Sequence, residues 1–112
     1  MKFLPQRHAI ASFGAGGFRF GDMSHQGHLL VLPSGMRAWD GADLSGFIAE
    51  KELIDFIVIG TGASFRRFNL GSLEAQGLFA EVMSTSAAVH SYNLMFGEAR
   101  RVAAGFMAVE TG

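Results

Sequence analysis

Gly60-Thr61-Gly62 is the segment whose residue types and spacing come nearest to chemistry. Two glycines one residue apart let the backbone bend sharply and aim N–H groups at one point, the geometry of a small anion-binding nest. Arg66 and Arg67 follow closely, and two guanidiniums beside open amides would hold a carboxylate or a phosphate. Further on, Ser84-Thr85-Ser86 has the composition of a helix N-terminus, where unpaired N–H groups and the helix dipole favour anions. The plainer readings are a tight turn, two solvated arginines and ordinary capping, and each accounts for its residues without a ligand. As a dinucleotide fingerprint the turn is broken, because G-x-G-x-x-G requires a glycine where Phe65 stands.

The remaining candidates are weaker. His25 and His28 are metal-ligand types, but residues three apart on a strand point to opposite faces and no third ligand has an obvious spacing, so no metal site is expected. No Ser-His-Asp order or acid pair stands out, and no catalytic residue is assigned. Phe65 and Phe68 flank Arg66 and Arg67 in a segment without periodicity. They form either an aromatic-cationic patch of the kind enriched where proteins meet, or a loop that folds its rings inward. Trp39, the only tryptophan, is either a partner-binding anchor or a core residue.

These residues need elements to position them. Five of the six residues 54–59 are apolar, which suits a strand covered on both faces, as in the middle of an α/β sheet. That strand feeds the glycine turn. Upstream, Ala9 to Phe13, Phe18 to Phe20, His28 to Leu32 and Met36 to Trp39 read as strands of a β meander. Gly14 to Gly17 form its first turn, Gly21-Asp22 and Gln26-Gly27 bracket another, and Pro33-Ser34-Gly35 stops the third strand. Asp43 is expected to cap a short helix from Leu44 to about Lys51. Gly71 to Gln76 reads as a helix stopped by Gly77, and Phe79 to Met83 as a strand. Ser84 or Thr85 caps the longest helix, which runs to about Arg100. Its Val89, Tyr92, Met95, Phe96 and Ala99 share an apolar arc, with Asn93 near the border. Val102 to Val109, apolar on both faces, is expected to be a central strand whose small residues let a helix pack close. The order of elements predicts α/β: an N-terminal β meander, then strand-helix-strand crossovers. If their strands are parallel, the Gly60 turn and the Thr85 cap share one edge of the sheet.

The 112 residues suffice for one domain, residues 1–112, with one core. The 49% hydrophobic content and eleven phenylalanines supply it. Without cysteine there is neither a disulfide framework nor a thiolate metal site. A net charge of −1 lacks the basic footprint of a nucleic-acid binder. The apolar run Val102 to Val109 is far shorter than the ~18 residues of a membrane span. Pro5 to His8 interrupt the apolar start, so no signal-peptide core is expected and a soluble cytoplasmic protein is.

Several of these pieces, taken in order, resemble a known family. Ile59 to Gly62, Glu81 to Thr85, Ala88, Tyr92-Asn93-Leu94, and Glu98 with Arg100 to Ala104 are similar to small domains that include the mitochondrial respiratory complex I assembly factor 3 and an adipogenesis-associated human protein. Leu30 to Pro33 followed by Trp39 fits as well, so the resemblance covers nearly the whole chain. It departs at Phe96 to Arg100, where relatives read nearer Leu-x-x-Glu-Gly-Arg. The resemblance implies a single three-layer α/β domain around a mixed sheet, an assembly or interaction role, and little chemistry; no cofactor is expected. By similarity it singles out Gly60, Thr61, Gly62, Thr85, Asn93 and Arg100.

Two functions stand side by side. The first is a non-enzymatic interaction module with a protein partner, a homo-oligomer included, using Phe65 and Phe68. The second is an anion or small-molecule binder or enzyme, with a pocket formed by Gly60, Thr61, Gly62, Arg66, Thr85, Asn93 and Arg100.

Overall fold

The computed structural model describes residues 6–110. Strands β1 (Ser12–Gly14), β2 (Gly17–Phe20) and β3 (Met23–Gln26) form a small antiparallel sheet. The main sheet contains β4 (Leu29–Leu32), β5 (Gly35–Ala38), β6 (Phe56–Gly60), β7 (Ala80–Met83) and β8 (Val102–Phe106), in the order β5-β4-β8-β6-β7. It is mixed: β4 runs antiparallel to β5 and β8, while β6 is parallel to both β7 and β8. The helices are α1 (Ser45–Ala49), α2 (Gly71–Ala75) and α3 (Thr85–Gly97), with a 3-10 turn at Lys51–Leu53.

Side-chain alternation divides this sheet into two cores. Leu29, Val31, Val58, Val102, Ala104 and Phe106 face α3 and the small sheet, and pack with Phe18, Phe20, Ala88 and Tyr92. Leu30, Leu32, Ile57, Ile59 and Ala103 face the other way, against Trp39, Phe47 and Leu73. Three layers result, as expected: α1 and α2, the mixed sheet, then α3 with the small sheet. The apolar run at 54–59 is explained by this sandwich, since β6 lies between β8 and β7 with a core on each side. β8 is central too. A Cβ on its Gly105 would lie 2.8 Å from Trp39 Cη2, so the indole rests directly on the strand backbone.

Several boundaries differ from the sequence reading. Met23–Gln26, read as part of a turn, is β3, paired with β2. Its Met-Ser-His-Gln buries only His25, so no apolar alternation marks it. Asp43 does not cap α1. Leu44 occupies the N-cap without a side-chain bond, and Asp43 accepts from the Ser45 N–H at 2.9 Å instead. α3 stops at Gly97, and Ala99 lies beyond it, exposed, at φ 60° rather than on the apolar arc. β8 ends at Phe106, short of Val109. Gly77 follows α2 at φ +75°, the left-handed stop expected of it. No helix among the described residues is long and apolar enough to cross a membrane.

Tyr92, the only tyrosine, anchors α3. Its ring meets Phe106 edge-on at 5.6 Å and its hydroxyl donates to His8 O at 2.8 Å. Burial pushes the phenol well above its ordinary value of 10.0, against a weaker opposing pull from Arg7. A raised folded-state pKa favours the neutral form. Its stabilisation is complete below pH about 10 and is lost as pH rises from there toward the folded-state pKa. Tyrosinate absorbance, which reports this single residue, is therefore expected to appear only together with loss of the far-UV dichroism. Tyr92→Phe should flatten this alkaline limb.

Candidate functional site

β6 and β7 are parallel and in register from Ile57↔Ala80 to Gly60↔Met83, so both end on the same edge. There the chain leaves β6 through Gly60-Thr61-Gly62 and leaves β7 into α3. Ser84 is the N-cap, its hydroxyl accepting from the Ala87 N–H at 3.3 Å. The next residue, Thr85, is fully buried and faces the glycine turn.

The two segments are bonded to each other. The Gly62 N–H donates to Thr85 Oγ1 at 2.9 Å, and the Thr85 N–H donates to Gly62 O at 2.8 Å. The Thr85 hydroxyl proton goes to Met107 O at 2.7 Å, just past β8. One side chain thus ties three segments. Thr61 N–H donates to Met83 O at 2.9 Å, extending the β6–β7 ladder by one residue. The glycines are required for different reasons. A Cβ on Gly60 would sit 2.9 Å from both Thr85 Cα and Thr85 Oγ1, so only hydrogen lets α3 approach. Gly62 has open space around it but φ +101°, a conformation that disfavours any side chain.

Thr61 then shapes the loop that follows. Its hydroxyl donates to Ser64 O and accepts from the Arg66 N–H, both at 2.9 Å. The far end of the loop is held by Phe68, half-buried with its ring 6.1 Å from Trp39, and by Asn69, which accepts from the Gly71 N–H at the start of α2. Between these anchors Phe65 is 61% exposed. Arg66 and Arg67 are exposed as well, and neither side chain has a partner among the described residues. The two ion pairs found there belong to other arginines, Arg100–Glu98 at 3.9 Å and Arg101–Asp55 at 2.9 Å.

The structure therefore brings Gly60, Thr61, Gly62 and Thr85 together and places Arg66 on the loop that they brace. Asn93 and Arg100 lie elsewhere. Asn93 clasps the backbone of Ile10, accepting its N–H and donating to its carbonyl, both at 2.8 Å. It thereby stands in for a neighbouring strand. Arg100 lies beyond the far end of α3, roughly 20 Å of helix from Thr85. The hydrogen bonds of Thr61 and Thr85 all go to backbone groups, so neither hydroxyl is paired with a side-chain base. His25 Nε2 bonds His28 O, and His28 Nδ1 accepts from the Ala108 N–H, each at 2.8 Å. The bracing role of Thr61 is almost silent in the sequence. Its only sequence signal is a threonine between two glycines after a buried strand.

Residues 10–107 match the family described as protein of unknown function DUF498/DUF598. The chain belongs to that family. A relative, an uncharacterised protein of Rhodobacter capsulatus, is 35% identical over 102 residues, 88% of this chain and 82% of the relative. The crystal structure of a Bartonella henselae protein described as an outer membrane protein superposes with a TM-score of 0.89 at 36% identity, covering 95% of this chain and 98% of that one. The NMR structure of Rpa2829 from Rhodopseudomonas palustris gives 0.78 at 35% identity, covering 97% and 89%. A small uncharacterised domain family is thus the level at which the resemblance holds. None of these three names mentions a respiratory complex.

Proposed function

We propose that the chain is a non-enzymatic protein-interaction module that docks through the loop carrying Phe65, Arg66 and Arg67. The observation that carries this reading is the contrast within one loop. Phe68 is folded onto Trp39, whereas Phe65, three residues earlier, is 61% exposed between two tied-down ends. An exposed aromatic on a pre-shaped loop loses little conformational freedom on binding, which is what an interface anchor needs. In this reading Gly60, Thr61, Gly62 and Thr85 hold the loop in shape. The role is assembly-factor-like, as the resemblance to the complex I assembly factor family implies, and is exercised in the cytoplasm.

The test is affinity capture from the native cell, comparing wild type with Phe65→Ala. Phe65 has little packing to lose, so stability should stay within about 0.5 kcal/mol of wild type. Loss of an interface anchor costs about 2 kcal/mol or more, so captured partners should fall roughly thirtyfold. Identical partner lists at equal stability would remove this reading.

A further inference from the structure

Resting on the interaction reading above, we infer that the partner of the Phe65-Arg66-Arg67 loop is a protein surface with an apolar notch for Phe65 and flanking carboxylates for the two arginines. Phe79 is also exposed, at 68%, but it packs beside Phe56 with ring centroids 5.4 Å apart, and Glu81 lies on the edge strand β7 that follows it. A charged residue on an edge strand works against strand pairing there. The loop differs because its charge is uncompensated. Arg66 and Arg67 have no partner among the described residues, while Arg100 and Arg101 are each paired to an acid. Two consecutive arginines left open next to an exposed phenylalanine in the chain specify an anionic complement.

The chemistry of the three side chains decides what kind of anion. The guanidinium fork matches a carboxylate with two parallel hydrogen bonds, and arginine and aromatic residues are enriched at protein interfaces where lysine is depleted. An anionic membrane fits less well. Lipid recognition by charge uses clusters of about 4–8 basic residues, and the loop offers two. The net charge of −1 adds no wider basic field to help.

The experiment uses the full chain with a benzoylphenylalanine photocrosslinker in place of Phe65, irradiated in native lysate, with adducts mapped by mass spectrometry. A synthetic peptide of the adducted segment is then titrated at about 0.1 M and about 1 M salt, where the screening lengths are ~10 Å and ~3 Å. The expected result is a protein segment bearing at least two acidic residues near the adduct. Its peptide should bind about tenfold or more weakly at high salt, and about tenfold or more weakly to the Arg66→Glu/Arg67→Glu variant. A peptide with those acids changed to lysine should prefer that variant to wild type. A protein adduct whose peptide ignores salt and charge reversal overturns the acidic-partner inference and leaves the interaction reading standing. Adducts on lipid or on a second copy of this chain also overturn it. No adduct at all removes the interaction reading with it.

Discussion

Trp39→Ala is expected to lower stability by about 3–5 kcal/mol, the range for removing a large buried aromatic. Burial and two contacts make the site unable to collapse cheaply. The indole is 7% exposed, it covers Gly105 on the central strand, and its Nε1 donates to Asp43 O at 2.8 Å. Removing it leaves a cavity over β8, an unpaired carbonyl before α1, and no platform for Phe68. The midpoint of thermal unfolding should fall by roughly 15 °C. Because Trp39 is the only tryptophan, the transition is best followed by far-UV dichroism rather than fluorescence. The effect should reach the loop as well, since the ring that holds its far end would lose its seat. A loss below about 1 kcal/mol would contradict the packing described, because even a partly collapsed site of this size costs more.

Thr85→Val is the second large effect, and its sign runs against hydrophobicity. Valine matches threonine in shape and would fill the buried site with apolar surface. It would also strand two backbone groups, the Gly62 N–H and the Met107 carbonyl, which now meet Thr85 Oγ1 at 2.9 and 2.7 Å. Each group left unpaired costs about 1–3 kcal/mol, so a total loss of about 2–6 kcal/mol is expected. Thr85→Ser keeps the oxygen and gives up only a methyl, at about 1 kcal/mol. Urea unfolding should therefore rank wild type, then serine, then valine. Valine equal to or better than serine would show that the hydroxyl bonds are not what holds the turn.

The architecture was legible where its cause is local or where burial leaves a compositional trace. The apolar residues 54–59 announce a strand with a core on each face, and β6 is one. Ser84 before an apolar arc announces a helix start, and Gly77 after α2 announces a stop. β3 left no trace because a mostly exposed strand has no periodic hydrophobic set to display. The site was legible only in part, for a related reason. The chain shows that Gly60-Thr61-Gly62 can turn, and that parallel strands would bring Thr85 to the same edge. It does not show which group takes each amide, because the partners lie about twenty residues away. Asn93 is the extreme case. Its position at the border of an apolar arc is readable, but the backbone it clasps is 83 residues distant. Phe65 and Phe68 are equivalent as letters, and the position of Trp39 decides which ring folds inward.

Amide hydrogen exchange at Gly62, read by NMR on the full chain, tests most directly whether the glycine turn is closed on Thr85 rather than open to solvent. The Gly62 amide should be protected nearly as well as the amides of the interior strand β6, and that protection should drop sharply in Thr85→Val. An amide that exchanges in the wild-type protein at the rate of an unstructured loop would contradict the account at its base.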